Sequence, residues 1–148
     1  MDSNKRFNIR VYGLLIANNQ VLVSDEFLFG RWVTKFPGGG LEWGEGINQC
    51  LIREFKEELS VEIQPQELFY INDFFQQSFI DKSHQIISIY YRVNCINPVQ
   101  ILTQQTAHNH LEMTHGSQVF RWIKLSTINP QDFYFPIDKV VAKLLNEM

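Results

Sequence analysis

The sequence predicts an α/β fold in which helices pack on a mixed β-sheet, and three observations carry that expectation. Runs of β-branched and aromatic residues flank an interior segment, two segments place apolar residues at spacings of three and four, and no repeat or linker breaks their order. At 148 residues the chain matches one domain, which we set at 1–148. A domain of that size buries roughly two-thirds of its unfolded surface without disulfides or metals.

The first run, "FNIRVYGLLIA", is followed by "NNQ" and "VLVSDE", which together read as a hairpin closed by an Asn-rich turn. Gly38-Gly39-Gly40 reads as a flexible turn. Behind it the period changes: Ile52, Phe55 and Leu59 mark the apolar stripe of a helix expected from about Glu45 to Leu59. Strand character returns in "ELFYINDFFQQSF" and in "QIISIYYRVNCI", where Ile87, Ile89 and Tyr91 alternate with Ser88, Tyr90 and Arg92, so a second hairpin is expected. A long polar loop, "NPVQILTQQTAHNHLEMTHGSQ", leads to the strand "VFRWIKL". After a turn-rich connection, "IDKVVAKLLNEM" carries Val140, Val141, Leu144 and Leu145 at helical spacing.

Composition excludes several classes of partner. A net charge of -3 and a pI near 5.8 offer no general attraction for nucleic acid or for an anionic membrane. Val11 to Ile16 is too short for a secretory segment or a span. Cys50 and Cys95 stand far apart without metal-ligand spacing, so reduced thiols and a cytoplasmic location are expected. The aromatic residues of "FYINDFF" and "IYYRV" suit a core better than a stacking surface.

The chemistry is concentrated in "FPGGGLEWGEGINQCLIREFKEELSVEI", which holds Glu42, Glu45, Glu54, Glu57, Glu58 and Glu62. At 100° per residue, Glu58 lies about 40° from Glu54 on one side and Glu57 about 60° on the other, so the three carboxylates share a helix face. Like charges at these spacings cost a few tenths of a kcal/mol per pair, and Arg53 and Lys56 offset this only in part. A solvated helix surface explains many such clusters. A hard cation such as Mg²⁺, which prefers carboxylate, carbonyl and water oxygens, explains this one together with the glycines, because a backbone carbonyl from the turn can join the carboxylates.

The spacing has a specific form. From Gly39 there follow five free positions, Glu45, seven free positions, Arg53-Glu54, bulky Phe55, one free position, Glu57-Glu58, one more, then Ser60 and Val61. This resembles the Nudix box, the signature of the Nudix hydrolases, and Phe36-Pro37-Gly38 resembles the usual lead-in. Two positions depart from the family pattern. Ser60 stands where the family has Gly, and in a left-handed conformation it would cost about 1 kcal/mol. Phe55 replaces a more usual aliphatic residue and implies a larger core contact.

The resemblance implies a Nudix-type α/β/α sandwich and Mg²⁺- or Mn²⁺-dependent hydrolysis of a diphosphate linkage in a nucleoside diphosphate derivative: a nucleotide sugar, a nucleoside triphosphate or a related compound. By position it assigns Glu54 and Glu58 as principal metal ligands, with Glu57 in the same cluster and the Gly38 carbonyl as a backbone ligand. It gives Arg53 the orientation of the glutamates, and Glu45 a place holding loop and helix together or contacting a second metal. The general base falls to Glu57 or Glu54, or to Glu112 or His115 in the long loop. The expected partner is a small-molecule nucleotide diphosphate, without nucleic acid or membrane, and a homodimer is compatible by analogy.

Other readings are weaker. A non-catalytic nucleotide-binding regulator with a Nudix fold would be expected to show an eroded box, and this chain keeps every acidic position. A diphosphate isomerase would ask for a catalytic Cys, for which Cys50 is the candidate. A zinc site at His108, His110 and His115 lacks a second spaced pair of ligands.

Overall fold

A computed structural model describes residues 4–96, 101, 103 and 115–148. The described residues form β1 (Arg6–Ala17), β2 (Gln20–Leu28), β3 (Arg31–Lys35), β4 (Gly38–Gly40), α1 (Ile47–Leu59), β5 (Ile63–Ile71), β6 (His84–Cys95), β7 (Gln118–Lys124), a 3₁₀ turn (Pro130–Asp132) and α2 (Pro136–Asn146).

The Asn-rich turn forms as expected, with Asn18 and Asn19 at φ 53° and 59°, the conformation that matches strand twist in a two-residue hairpin. The hairpin is short. β1 and β2 pair only at Ile16–Val21 and Ala17–Gln20, after which each joins different neighbours. β1 runs parallel to β6 and antiparallel to β4, while β2 lies between β3 and β7. A wedge therefore opens between β1 on one side and β2 with β3 on the other.

The sheet carries a helix on each side. Leu51, Phe55 and Cys50 of α1 pack with Val11, Leu15, Leu22, Val93 and Phe120. Ile137, Val141 and Leu145 of α2 pack with Leu14, Val21, Val23, Tyr90 and Ile123. Alternate residues of β1 and β2 thus face opposite helices, which is the α/β/α sandwich with a mixed sheet. Each fully buried Val, Leu or Phe contributes about 1.5–3 kcal/mol. Asp25, wholly buried, accepts from Arg121 Nε at 2.7 Å and from Thr34 Oγ1 at 2.6 Å, tying β2 to β7 and β3.

Four expectations need correction. The triple glycine is strand β4 rather than a loose turn, because its backbone finds partners on β1. The helix begins at Ile47, with Gly46 as its cap and the Gly46 N–H donating to Gln49 Oε1 at 2.7 Å. Its buried stripe is Cys50, Leu51 and Phe55, and Ile52 is 40% exposed. β5 starts at Ile63 and ends at Ile71, so residues 72–79 of the expected strand form part of the connection to β6. β5 and β6 do pair antiparallel. The long loop lies mostly outside the described residues. Among the described residues no helix is long and apolar enough to cross a membrane.

Both departures from the box pattern have physical accounts. Ser60 caps α1 at φ 56°, ψ 33°, and its N–H donates to Lys56 O at 3.0 Å, so the left-handed cap forms despite its side chain. Phe55 is wholly buried, and its ring fills the space where a Cβ on Gly13 would stand. Gly13→Ala should therefore destabilise the protein by about 1–3 kcal/mol in urea denaturation. Phe55→Leu in the same chain should recover most of that loss, and two additive losses would contradict the contact.

Candidate active site

The approach of α1 to the sheet is set by β4. Gly13 N–H donates to Pro37 O and Leu41 N–H to Ile9 O, both at 2.9 Å. With Val11 opposite Gly39, Gly39 is the intervening hydrogen-bonded residue, so the amide and carbonyl of Gly38 and Gly40 point away from β1. Gly38 has φ 148°, and a Cβ there would collide with Val11 O. A Cβ on Gly39 would overlap the Glu54 carboxylate. Only a strand without side chains lets the helix carboxylates come this close to backbone.

Arg53 organises one side of the site. Its guanidinium reaches Glu45 Oε1 at 2.6 Å and Oε2 at 3.0 Å, Glu54 Oε1 at 2.9 Å, Glu57 Oε2 at 3.3 Å and the Gly40 carbonyl at 3.1 Å. Glu45 also accepts from the Glu42 N–H at 2.9 Å, which closes the β4–α1 loop. The Arg53 and Glu42 bonds hold the Glu45 carboxyl down at about 2, and the same partnership raises the Arg53 pKa. Glu57 keeps 60% of its side chain exposed, whereas Glu54 exposes 13%.

Glu58 turns the other way, into the wedge. Burial pushes its pKa up to about 7, with Glu54 and Glu26 adding to the rise and Lys35 and the Gly38 backbone hydrogen bond opposing it. Its Oε2 is buried without a hydrogen-bond partner. An orphaned buried carboxylate oxygen is costly unless something positive arrives to meet it. Lys35 Nζ, largely buried, bonds Glu26 Oε1 at 3.0 Å. Across the wedge Arg10 Nε bonds the Tyr12 hydroxyl at 3.2 Å. Nearby charge on Glu54 and Glu26 supports the Arg10 guanidinium.

The structure thus gathers Glu45, Arg53, Glu54 and Glu57 in one network, and sets Glu58 beside the amide of Gly38. Among the described residues, no three His, Cys, Asp or Glu side chains already converge as a metal-holding group. Arg53 draws Glu54 and Glu57 toward itself instead. The donor set nonetheless fits a hard divalent cation: all-oxygen, anionic, next to an outward-facing Gly38 carbonyl, with one carboxylate oxygen unpartnered. Glu112, His108 and His110 lie outside the described residues. His115 is exposed and packs edge-on against Phe29, with ring centres 5.7 Å apart. Cys50 is buried, and that burial raises its thiol pKa to about 12, unsuited to a nucleophile.

Glu26, Lys35, Arg10 and Tyr12 are not legible as site residues in the sequence. Their meeting depends on the pairing of β2 with β3 and on the divergence of β1 from β2. The one local signal is Lys35 itself, a charged residue next to the apolar Phe36-Pro37.

The NUDIX domain family model matches residues 6–144. This chain belongs to the Nudix family. With that membership it is a Nudix-type pyrophosphohydrolase, a hydrolase of phosphorus-containing acid anhydrides. Solved Nudix-fold structures agree. The Escherichia coli ORF135 protein is 18% identical, with a TM-score of 0.69 over 97% of this chain and 91% of that one. A MutT protein from Methanosarcina mazei Go1 is also 18% identical, with a TM-score of 0.64 over 97% and 95%. A UDP-X diphosphatase is 12% identical, with a TM-score of 0.59 over 96% of this chain and 64% of that one. At these identities the likeness is one of fold.

The raised Glu58 pKa has a measurable consequence for the Nudix site without metal. Its folded pKa of about 7 lies above the ordinary 4.5, so its contribution to stability is full below about 4.5 and is lost as pH rises through 7. In chelator, wild-type stability should fall by about 1–3 kcal/mol over that window relative to Glu58→Gln, which carries no such titration. Parallel pH profiles of the two proteins in urea denaturation would contradict the burial of Glu58.

Proposed function

We propose that this enzyme hydrolyses a diphosphate linkage in a nucleoside diphosphate derivative, a nucleotide sugar, nucleoside triphosphate or related compound, with Mg²⁺ or Mn²⁺ as cofactor. The observation that carries the reading is the unpartnered Glu58 Oε2 beside Gly38 and Glu54. Glu54, Glu58 and the Gly38 carbonyl would hold the principal cation, with Glu57 joining directly or through water. When bound, a divalent cation at these oxygens offsets the repulsion between phosphates and carboxylates and lowers the pKa of an attacking water.

The chain's own residues supply the rest. Arg53 holds Glu54 in place and keeps Glu57 within reach, and Glu45 anchors Arg53 to the loop. Glu57, the most exposed of the three helix carboxylates, would accept the proton of the attacking water. Glu112 and His115 remain the candidates from the long loop, and the packing of His115 against Phe29 favours Glu57 over it. Arg10 and Lys35 offer positive charge to the substrate's phosphates on the opposite wall of the wedge. A cavity of about 190 Å³ continues from Lys35 and Glu26 toward α2, with room for the nucleoside portion. The MutT and UDP-X diphosphatase neighbours are consistent with substrates of this class. The whole chain, 1–148, acts as one domain in this reading.

Glu54→Gln and Glu58→Gln should each lower cation-dependent phosphate release by about 100-fold or more while leaving the fold intact. A panel of nucleoside triphosphates, nucleotide sugars, ADP-ribose and dinucleoside polyphosphates, with products identified by mass, measures the activity. Mg²⁺ or Mn²⁺ should also raise the melting temperature of the wild type more than that of either variant. Turnover unchanged in both variants would contradict the assignment of the metal ligands.

A further inference from the structure

The far end of the 190 Å³ cavity, under the first turn of α2, is built around a buried acid. Asp138 is 3% exposed, and its Oδ1 accepts from the Tyr90 hydroxyl at 2.5 Å. Tyr90 is 1% exposed and is held in turn: its ring stacks on Tyr12 with centres 5.2 Å apart, and Phe36 packs edge-on against it at 5.9 Å. A carboxylate oxygen only accepts, so the Tyr90 proton is committed to Asp138 Oδ1. Asp138 Oδ2 has no hydrogen-bond partner among the described residues, and Asp138 lines the cavity.

An acid in the first turn of a helix is favoured by the helix dipole, and a structural role would account for the Tyr90 bond. It does not account for a second, unbonded oxygen on a residue lining a cavity whose sides carry Phe79, Ile86 and Phe135. The cations Arg10 and Lys35 stand between Asp138 and the carboxylates of α1 and act on both, so the anionic part of a ligand belongs beside them and its neutral ring beneath α2. A flat ring of mostly apolar surface with one N–H aimed at Asp138 completes this end.

We propose that Asp138 is a specificity-determining residue, whose free Oδ2 accepts a hydrogen bond from an N–H of the nucleotide base, with Tyr90 fixing which oxygen is free. This rests on the nucleotide-hydrolase reading above. It has an unusual corollary for Asp138→Asn. Tyr90 must still donate to the side-chain oxygen at position 138, so the introduced amide NH₂ is the group left facing the cavity. The substitution reverses the polarity of the site rather than merely weakening it.

The test compares matched nucleotides under cation-dependent hydrolysis: ATP against purine riboside triphosphate, which lacks the exocyclic amine, and CTP against pyrimidin-2-one riboside triphosphate, which lacks the same donor. The wild type should prefer the donor-bearing member of at least one pair by about 10- to 100-fold in kcat/KM. Asp138→Asn should reverse that preference, and Asp138→Ala should bring the ratio near one. Ratios are read only for variants whose melting curves remain cooperative. Tyr90→Phe combined with Asp138→Asn frees the orientation of the introduced amide and should abolish the reversal. Cleavage of both members with a ratio unchanged by Asp138→Asn would overturn the role of Asp138 alone. Cleavage of no diphosphate in the panel by the wild type would overturn the functional reading and this one with it.

Discussion

The distance between β4 and α1 is the constraint on which the site depends. Three glycines paired to β1 present a bare edge of backbone, and Glu54 lies where a Cβ on Gly39 would be. The same strand turns the Gly38 amide toward Glu58 and the Gly40 carbonyl toward Arg53. Any side chain on the strand would hold the helix off and separate oxygens that now face one another. The conformational entropy lost in ordering three glycines is offset by ladder bonds to β1 and by burial of the apolar face of α1.

Electrostatics then divides the acidic helix into two roles. Arg53 pairs with Glu45, Glu54 and Glu57, and its bonds hold the Glu45 carboxyl well below the usual carboxylate range. Glu58 has Lys35 and the Gly38 amide for relief, and Lys35 is shared with Glu26. Burial therefore pushes the Glu58 pKa up to about 7, whereas the bonds to Arg53 hold that of Glu45 down at about 2. A cation would remove that asymmetry. The opposite end of the wedge repeats the pattern on a smaller scale, with Asp138 buried and its pKa raised to about 6 chiefly by desolvation.

The helix and its carboxylates are legible in the sequence because each is fixed by local spacing along the chain, and the left-handed exit at Ser60 is legible through the glycine that the Nudix box has there. Phe55 is legible as a larger core residue, but its need for Gly13 is not, since the two meet only across the α1–β1 interface. β3 and β4 are hidden because a strand of three to five residues is too short to show a period. Lys35 and Glu26 are hidden for a different reason. Their pairing is diagonal across the β2–β3 ladder, where Ser24 faces Lys35 and Glu26 faces Val33. Asp138 reads as one more charged residue at the start of a helix, and only the fold brings Tyr90, distant in sequence, to it.

Glu58 Oε2 is buried without a partner and burial pushes the carboxyl pKa up to about 7, so a divalent cation meeting it would displace a proton. Calorimetric titration of Mn²⁺ at pH 7, in buffers of different ionisation enthalpy, counts the protons released on binding. With a Glu58 pKa of about 7, the wild type should release roughly half a proton per cation and Glu58→Gln almost none. Binding without proton release, or equal release from both proteins, would contradict the account.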